Sequence, residues 1–419
     1  KLYITTLVCF HLYCGYRHFP LFPSPQPGIM ELILLFLVSW FVSLPVQEEG
    51  LFMRSARLTL FPLTVTLLTA TLSGCHFFHR GKAVGVVKPA AVLVNALPPM
   101  LPLDLTKVQP NEAGLVPILE YHDLVKSAKT KGYEYPAASF RRDMQWLYDH
   151  NYRPISLHDY VQGKIDCPAG MSPVILTFDD ALRGQFNYTA DGKIDPDCAV
   201  GILDDFHAKH PDWPLKGTFF VLTDVGTTLP PPFYQKQYAQ GKMDYIVKEG
   251  FEIGNHTIHH KAGIRHWPDA KVQAELAGAV ANIHQYEPNY LVDTLALPYG
   301  VFPKNKKLVI SGASGGVSYH NLCALKAGAE PAPSPMGQPL RGDSFPYYLP
   351  RIIPGAGTFT IHYWLELMEK EKALKYVSDG DPNTYTVNTI VKSQVNLARL
   401  KNGHFHLRTY NGTQVVSST

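Results

Sequence analysis

The chain has 419 residues, 46% of them apolar, enough to build a sizeable core and too many for an intrinsically disordered protein. Charged residues make up 17%, and the 34 prolines and 32 glycines follow no collagen-like or low-complexity pattern. A formal charge of +3 is nearly balanced, which argues against a nucleic-acid partner, and the length suits one large domain with additions.

Only seven charged side chains fall within the first 75 residues, so the charge deficit sits at the front of the chain. Residues 1–52 are expected to be translated sequence upstream of the true start, or an extra N-terminal segment in which Leu32–Leu44 is apolar enough to be part of a membrane helix. Residues 53–75 make a better beginning: Met53, the basic pair Arg54 and Arg57, an apolar run from Leu58 to Leu72, then Ser73-Gly74-Cys75. Small residues before a cysteine resemble the bacterial lipoprotein signal, which implies lipid attachment at Cys75 and anchoring in the bacterial cell envelope. His76, where an Asp would retain the protein at the inner membrane, points to the outer membrane. Residues 76–114 are rich in Ala, Val and Pro, with Pro98, Pro99 and Pro102 blocking helix, and are expected to form an extended tether.

From residue 115 to 405 strand and helix patterns alternate. Val116–Tyr121 reads as a short apolar strand, and Ser139 as the N-cap of a helix running to His150. Pro173–Phe178 is almost continuously apolar, as a fully buried parallel strand would be. A helix over Asp197–His210, a strand over Gly217–Leu222, a helix over Phe233–Glu249 and a strand over Phe251–Gly254 follow. A helix over Pro268–Tyr286, strands over Thr294–Leu297 and Gly316–Tyr319, and a helix over Thr360–Leu374 complete the series. Such alternation predicts parallel strands with helices outside, with the chemistry at the C-terminal ends of the strands. Residues 406–419 read as a C-terminal tail. Cys167, Cys198 and Cys323 show no CxxC spacing and are expected to be buried free thiols, with Cys167–Cys198 the one disulfide to consider.

Three constellations fall at predicted strand ends. Asp179-Asp180 places two carboxylates side by side after the most buried strand; burial and mutual repulsion make that costly unless a cation compensates, and a helix N-cap pair is the plainer alternative. His256 and His260 are four apart, so one helical turn would bring both imidazoles to one face, whereas His259 would point elsewhere. One carboxylate with two imidazoles supplies three ligands for a divalent metal and leaves coordination positions open for water and substrate. Ala296-Leu297-Pro298-Tyr299-Gly300 is a tight turn, either an ordinary one or one that aims the Tyr299 backbone N–H into the site.

The sequences TFDD, HTIHH and LPYG, in this order, resemble the polysaccharide deacetylases (carbohydrate esterase family four), and Val116–Asp123 is similar to the first strand of extracellular members. The resemblance implies a distorted (β/α) barrel that removes N-acetyl groups from a polysaccharide, with a divalent metal, Zn2+ by preference, activating water. It implies Asp179 as general base, Asp180, His256 and His260 as metal ligands, and Tyr299 as the oxyanion donor. Two departures stand out. The Arg that orients the base is missing before Pro298, where Leu295, Ala296 and Leu297 stand, so that Arg351 or Arg183 would have to replace it. The late Leu-x-His that supplies the acid is also missing, and His362, His404, His406, Asp379 and Asp381 are candidates by residue type alone. These departures leave two further readings: a non-catalytic glycan-binding lipoprotein on the same fold, or an esterase for O-acetyl groups. Trp213, Tyr234, Tyr238, Trp267 and Trp364 are candidates for stacking on sugars or for ordinary packing.

Overall fold

The computed structural model describes residues 99–128, 133–222, 231–338, 345–355 and 357–418. The expected upstream segment, the signal with Cys75 and most of the tether lie outside these residues. In chain order the elements are β1 (Ile118–Tyr121), β2 (Asp123–Val125), β3 (Glu134–Pro136), α1 (Ala137–Asp149), β4 (Tyr152–Pro154), α2 (Leu157–Gln162) and β5 (Ser172–Asp179). Then come α3 (Ala199–Lys209), β6 (Thr218–Val221), α4 (Ala239–Lys248), β7 (Glu252–Asn255), α5 (Asp269–Ile283) and β8 (Thr294–Ala296). The last part holds β9 (Ser311–Ser314), β10 (Val317–His320), β11 (Cys323–Leu325), α6 (Ile361–Lys370), β12 (Thr384–Asn388), α7 (Leu397–Asn402), β13 (His406–Asn411) and β14 (Gln414–Ser418).

The main sheet runs β1-β5-β6-β7-β8-β11, all parallel, with β4 also paired to the start of β5. It curls until an irregular segment around Leu349–Ile352 closes the ring. Ile352 accepts from the Glu120 N–H and donates to the Ile118 carbonyl, while Leu349 donates to Ala324 and accepts from Lys326. The result is the parallel arrangement predicted by the alternation, curled into the distorted barrel that the resemblance implied.

Side-chain alternation along each strand sorts the core into two clusters. Leu119, Tyr121, Leu176, Phe178, Phe219, Ile253 and Leu295 face outward under the helices. Ile118, Ile175, Phe220, Ala296 and Leu325 face into the barrel, where they join Tyr385, Val387 and Leu407 from β12 and β13. The same alternation turns Glu120, Thr177 and Asp179 inward. Gly254 on β7 is needed for close approach, because a Cβ there would lie 2.4 Å from the Phe220 ring and 2.8 Å from Thr294 Oγ1.

Several expectations change. Helix α1 begins at Ala137 with Pro136 as its N-cap, so Ser139 lies inside it and its hydroxyl accepts from Arg142. Residues 233–235 are not helical: α4 is preceded by a 3-10 turn, Lys236–Tyr238. The predicted strand near Gly316 is one arm of the β9–β10 hairpin, off the barrel. Residues 406–418 are not a tail, since β13 pairs with β12 and β14 and buries Arg408 and Thr409. The end of the expected tether packs as well: Glu112 is buried and accepts from the Thr386 N–H and the Tyr376 hydroxyl. Cys167, Cys198 and Cys323 are buried free thiols. Among the described residues no helix is long and apolar enough to cross a membrane.

At the end of the barrel away from Asp179, His158 is clamped between two buried carboxylates. Its ring nitrogens lie 2.5 Å from Glu252 and 2.5 Å from Asp293, and Glu252 also accepts from Thr218 and from the backbone N–H groups of Leu157 and His158. The Asp293 and Glu252 hydrogen bonds outweigh burial and raise the His158 pKa to about 10. A raised folded-state pKa gives stability that is complete below about pH 6.5 and is lost as the pH climbs toward 10. The thermal midpoint should therefore fall between pH 7 and pH 10. His158→Gln should lower the midpoint at pH 7 and flatten that slope; equal slopes in the two proteins would rule out the charged clamp.

Candidate active site

Strand β5 carries Asp179 at its C-terminal end, facing into the barrel mouth. The chain then turns sharply: Asp180 and Ala181 both adopt left-handed backbone, with φ 76° and 50°. This places the Asp180 carboxylate next to the loop that follows β7. His256 Nε2 lies 3.2 Å and His260 Nε2 3.4 Å from Asp180 Oδ1. The two histidines singled out by their spacing do come together, but not through a helical turn. No helix forms over residues 256–260; Thr257 and His260 have φ 66° and 52°, and the loop folds back on itself.

Side chains hold that loop in place of a helical ladder. Asn255 accepts from the Thr257 N–H and donates to the Leu276 carbonyl, and Thr257 Oγ1 accepts from the His260 N–H. Buried Glu275 on α5 accepts from the Ile258 and His259 N–H groups and holds His259 Nδ1 at 2.7 Å. His259 is thereby turned away from Asp180.

Asp180, His256 and His260 can hold a divalent cation: one ligand atom from each lies within 4.8 Å of the others. The donor chemistry fits. His256 Nδ1 donates to the Ala296 carbonyl at 2.9 Å, which leaves the Nε2 lone pair directed at Asp180. Both His256 Nε2 and Asp180 Oδ1 are buried and lack a hydrogen-bond partner, a costly state that a metal ion would relieve. Burial disfavours the His256 imidazolium, but Asp179 and Asp180 outweigh it and raise its pKa, so the spot draws positive charge.

Asp179 is held differently. Arg351, fully buried on the closing segment, donates from Nη1 to Asp179 Oδ1 and from Nη2 to Oδ2, each at 2.7 Å. It also reaches Thr177 Oγ1, and its Nε lies 3.3 Å from Glu120. Burial would raise the Asp179 pKa, yet Arg351 and then His256 hold it well below the ordinary carboxylate range. Glu120, buried beside the same arginine, is pushed up to about 7 by burial, with Asp179 adding to the rise and Arg351 opposing it. Between the two arginine candidates the structure brings Arg351 into the site and leaves Arg183 exposed.

The site opens into a cavity of about 740 Å³ whose wall includes His122, Tyr133, Tyr234, His260, Lys261 and Tyr299. Tyr299 has φ 57° and an exposed ring that packs edge-on against His260, with centroids 4.7 Å apart. None of the acid candidates offered by the sequence lines this cavity. His362 pairs with Asp143, Asp379 binds Thr386, Asp381 accepts from Asn383 and Thr384, and His404 and His406 flank the start of β13. His122 lines it instead, with Nε2 3.9 Å from Glu120 and Nδ1 buried without a partner. The signal for Glu120 and His122 was their alternate spacing at the end of the first strand. Glu275 gave no signal, because it acts from a neighbouring helix.

Residues 168–313 match the family model for polysaccharide deacetylase. No curated protein matches the chain. Among solved structures, a deacetylase of Streptococcus pyogenes in complex with acetate is 16% identical, with 61% of this chain and 98% of that chain covered at a TM-score of 0.44. A polysaccharide deacetylase from Bacillus cereus is 16% identical over 62% of this chain and 69% of its own, TM-score 0.43. A de-N-acetylase from Aggregatibacter actinomycetemcomitans is 16% identical over 59% and 98%, TM-score 0.40.

Glu275→Ala should reduce divalent-cation affinity about ten-fold by titration calorimetry, since supports of metal-holding loops typically carry that much. An unchanged affinity would show that Asn255 and Thr257 suffice to hold the loop.

Proposed function

We propose that the chain is a metal-dependent hydrolase that removes N-acetyl groups from a cell-surface or extracellular polysaccharide. The observation that carries this reading is the juxtaposition of two differently treated carboxylates. Asp180 faces two imidazoles, its Oδ1 and the His256 Nε2 both unpaired, while its neighbour Asp179 is locked by a bidentate arginine. The match of residues 168–313 to the polysaccharide deacetylase family model supports it.

In this reading Asp180, His256 and His260 hold the metal, and Zn2+ suits a set of two imidazoles and one carboxylate. When bound, the metal supplies a Lewis acid that lowers the pKa of water and polarises the acetyl carbonyl. Asp179 is the general base. Arg351 occupies one lone-pair direction on each of its oxygens, fixing its plane while leaving the others for an incoming water. Asp179 takes the proton that the attacking water gives up. His122 is the acid that the sequence left unassigned, since it shares the cavity wall with Asp179 and can deliver a proton to the departing amine. The Tyr299 backbone N–H is the oxyanion donor in this reading, supported by its place in the cavity wall and its left-handed backbone. Lipid attachment at Cys75 and an envelope location belong to the same proposal and rest on residues 53–75 alone.

The expected arginine has an occupant in Arg351, which removes one motive for a merely glycan-binding protein. Asp180→Ala and His256→Ala should lose bound metal and acetate release from N-acetylated chito-oligosaccharides together, each by at least about a hundred-fold in activity. Arg351→Met should keep the metal and lose turnover. Full acetate release by Asp180→Ala would overturn the assignment.

A further inference from the structure

Beside the cavity, residues 231–235 hold an unusual backbone. Phe233 and Tyr234 both adopt left-handed conformation, φ 58° and 66°. A single bulky residue there is an outlier, and two in succession carry a cost that nothing local repays.

The surrounding structure enforces this conformation from several sides. The Phe233 N–H donates to the Ala181 carbonyl, the Tyr234 N–H to Pro231 and the Gln235 N–H to Phe233. The Phe233 ring is fully buried against Phe186 and Phe219. Gln235 is tied to both backbone groups of Tyr188. Most telling is Lys242 on α4, completely buried, whose ammonium donates to the Phe233 carbonyl at 2.9 Å and the Phe186 carbonyl at 2.8 Å. Its remaining surroundings are the rings of Phe186, Tyr188 and Phe233, a cation–π box in place of a carboxylate partner.

The product of all this is one exposed ring. Tyr234 is 46% exposed in the cavity wall that Asp180 shares. That ring is open to the apolar face of a ligand entering the cavity.

We propose that Tyr234 is a sugar-stacking platform: it receives the apolar face of a pyranose ring in the polymer, next to the ring whose acetyl group enters the site. Lys242 is the positioning residue that presents it. This rests on the glycan reading of the cavity, and binding is measured apart from turnover so that the two can fail separately.

The test uses chitopentaose for binding and for acetate release, and p-nitrophenyl acetate as a small ester that carries no sugar ring. Tyr234→Ala should raise both Kd and KM for chitopentaose about five- to ten-fold, the range of one aromatic stack. The loss should be far smaller with p-nitrophenyl acetate, which presents no pyranose, and Tyr234→Phe should retain wild-type affinity. Lys242→Met should reproduce the KM increase while keeping kcat on the small ester. Chitopentaose binding that weakens in Tyr234→Ala without any acetate release would uphold the platform and sink the hydrolase reading. Normal acetate release with unchanged Kd and KM in Tyr234→Ala would sink the platform and leave the hydrolase reading standing. Absence of chitopentaose binding by the wild-type protein would also count against the platform.

Discussion

Three carboxylates, Glu120, Asp179 and Asp180, converge at the mouth of the barrel, all within reach of one another's charge and all largely withdrawn from water. Left alone they would repel, and burial would add to the cost. The fold answers with one fixed cation and one place for a second. Arg351 neutralises Asp179 and touches Glu120, while Asp180 is set against two imidazoles. Burial pushes the Glu120 carboxyl up to about 7, and its protonation removes part of the remaining repulsion. Division of labour between two adjacent aspartates follows from this arrangement. One has its charge cancelled by protein; the other has its charge reserved.

Much of this was legible in the sequence, and the parts that were not share a cause. The buried strand ending in Asp179-Asp180 was readable because a near-continuous apolar run closing on two acids makes burial and charge meet at one point. The pair His256 and His260 was readable from residue type, although the helical turn invoked to join them does not exist. Asn255, Thr257 and Glu275 build a loop with the same outcome, and Glu275 comes from the following helix. Arg351 could be offered only as one of two candidates. Its partner lies 172 positions earlier in the chain, and only the curl of the sheet brings them together. Local patterns report local geometry; contacts made by closing a barrel leave no period in the sequence.

Errors at the chain ends have a similar origin. Residues 99–114 and 406–418 lack the apolar alternation of the barrel, and so read as tether and tail. In the structure they are recruited by polar contacts: Glu112 to β12, Leu101 to Asp381 and Arg408. A segment can be tied into a fold by hydrogen bonds as well as by a few buried side chains such as Leu407 and Tyr410, and composition does not reveal the hydrogen bonds.

The segment around Leu349–Ile352 closes the ring without being a regular strand, and it also carries Arg351. Closure and charge compensation are therefore one event. A chain cut back to the family-matched residues 168–313 would lack β1, β11 and this segment. It would expose the open flanks of β5 and β8 as templates for another chain, and leave Asp179 buried with no guanidinium. The smallest autonomous unit is thus set by where the sheet meets itself, well outside the stretch in which the recognisable motifs lie.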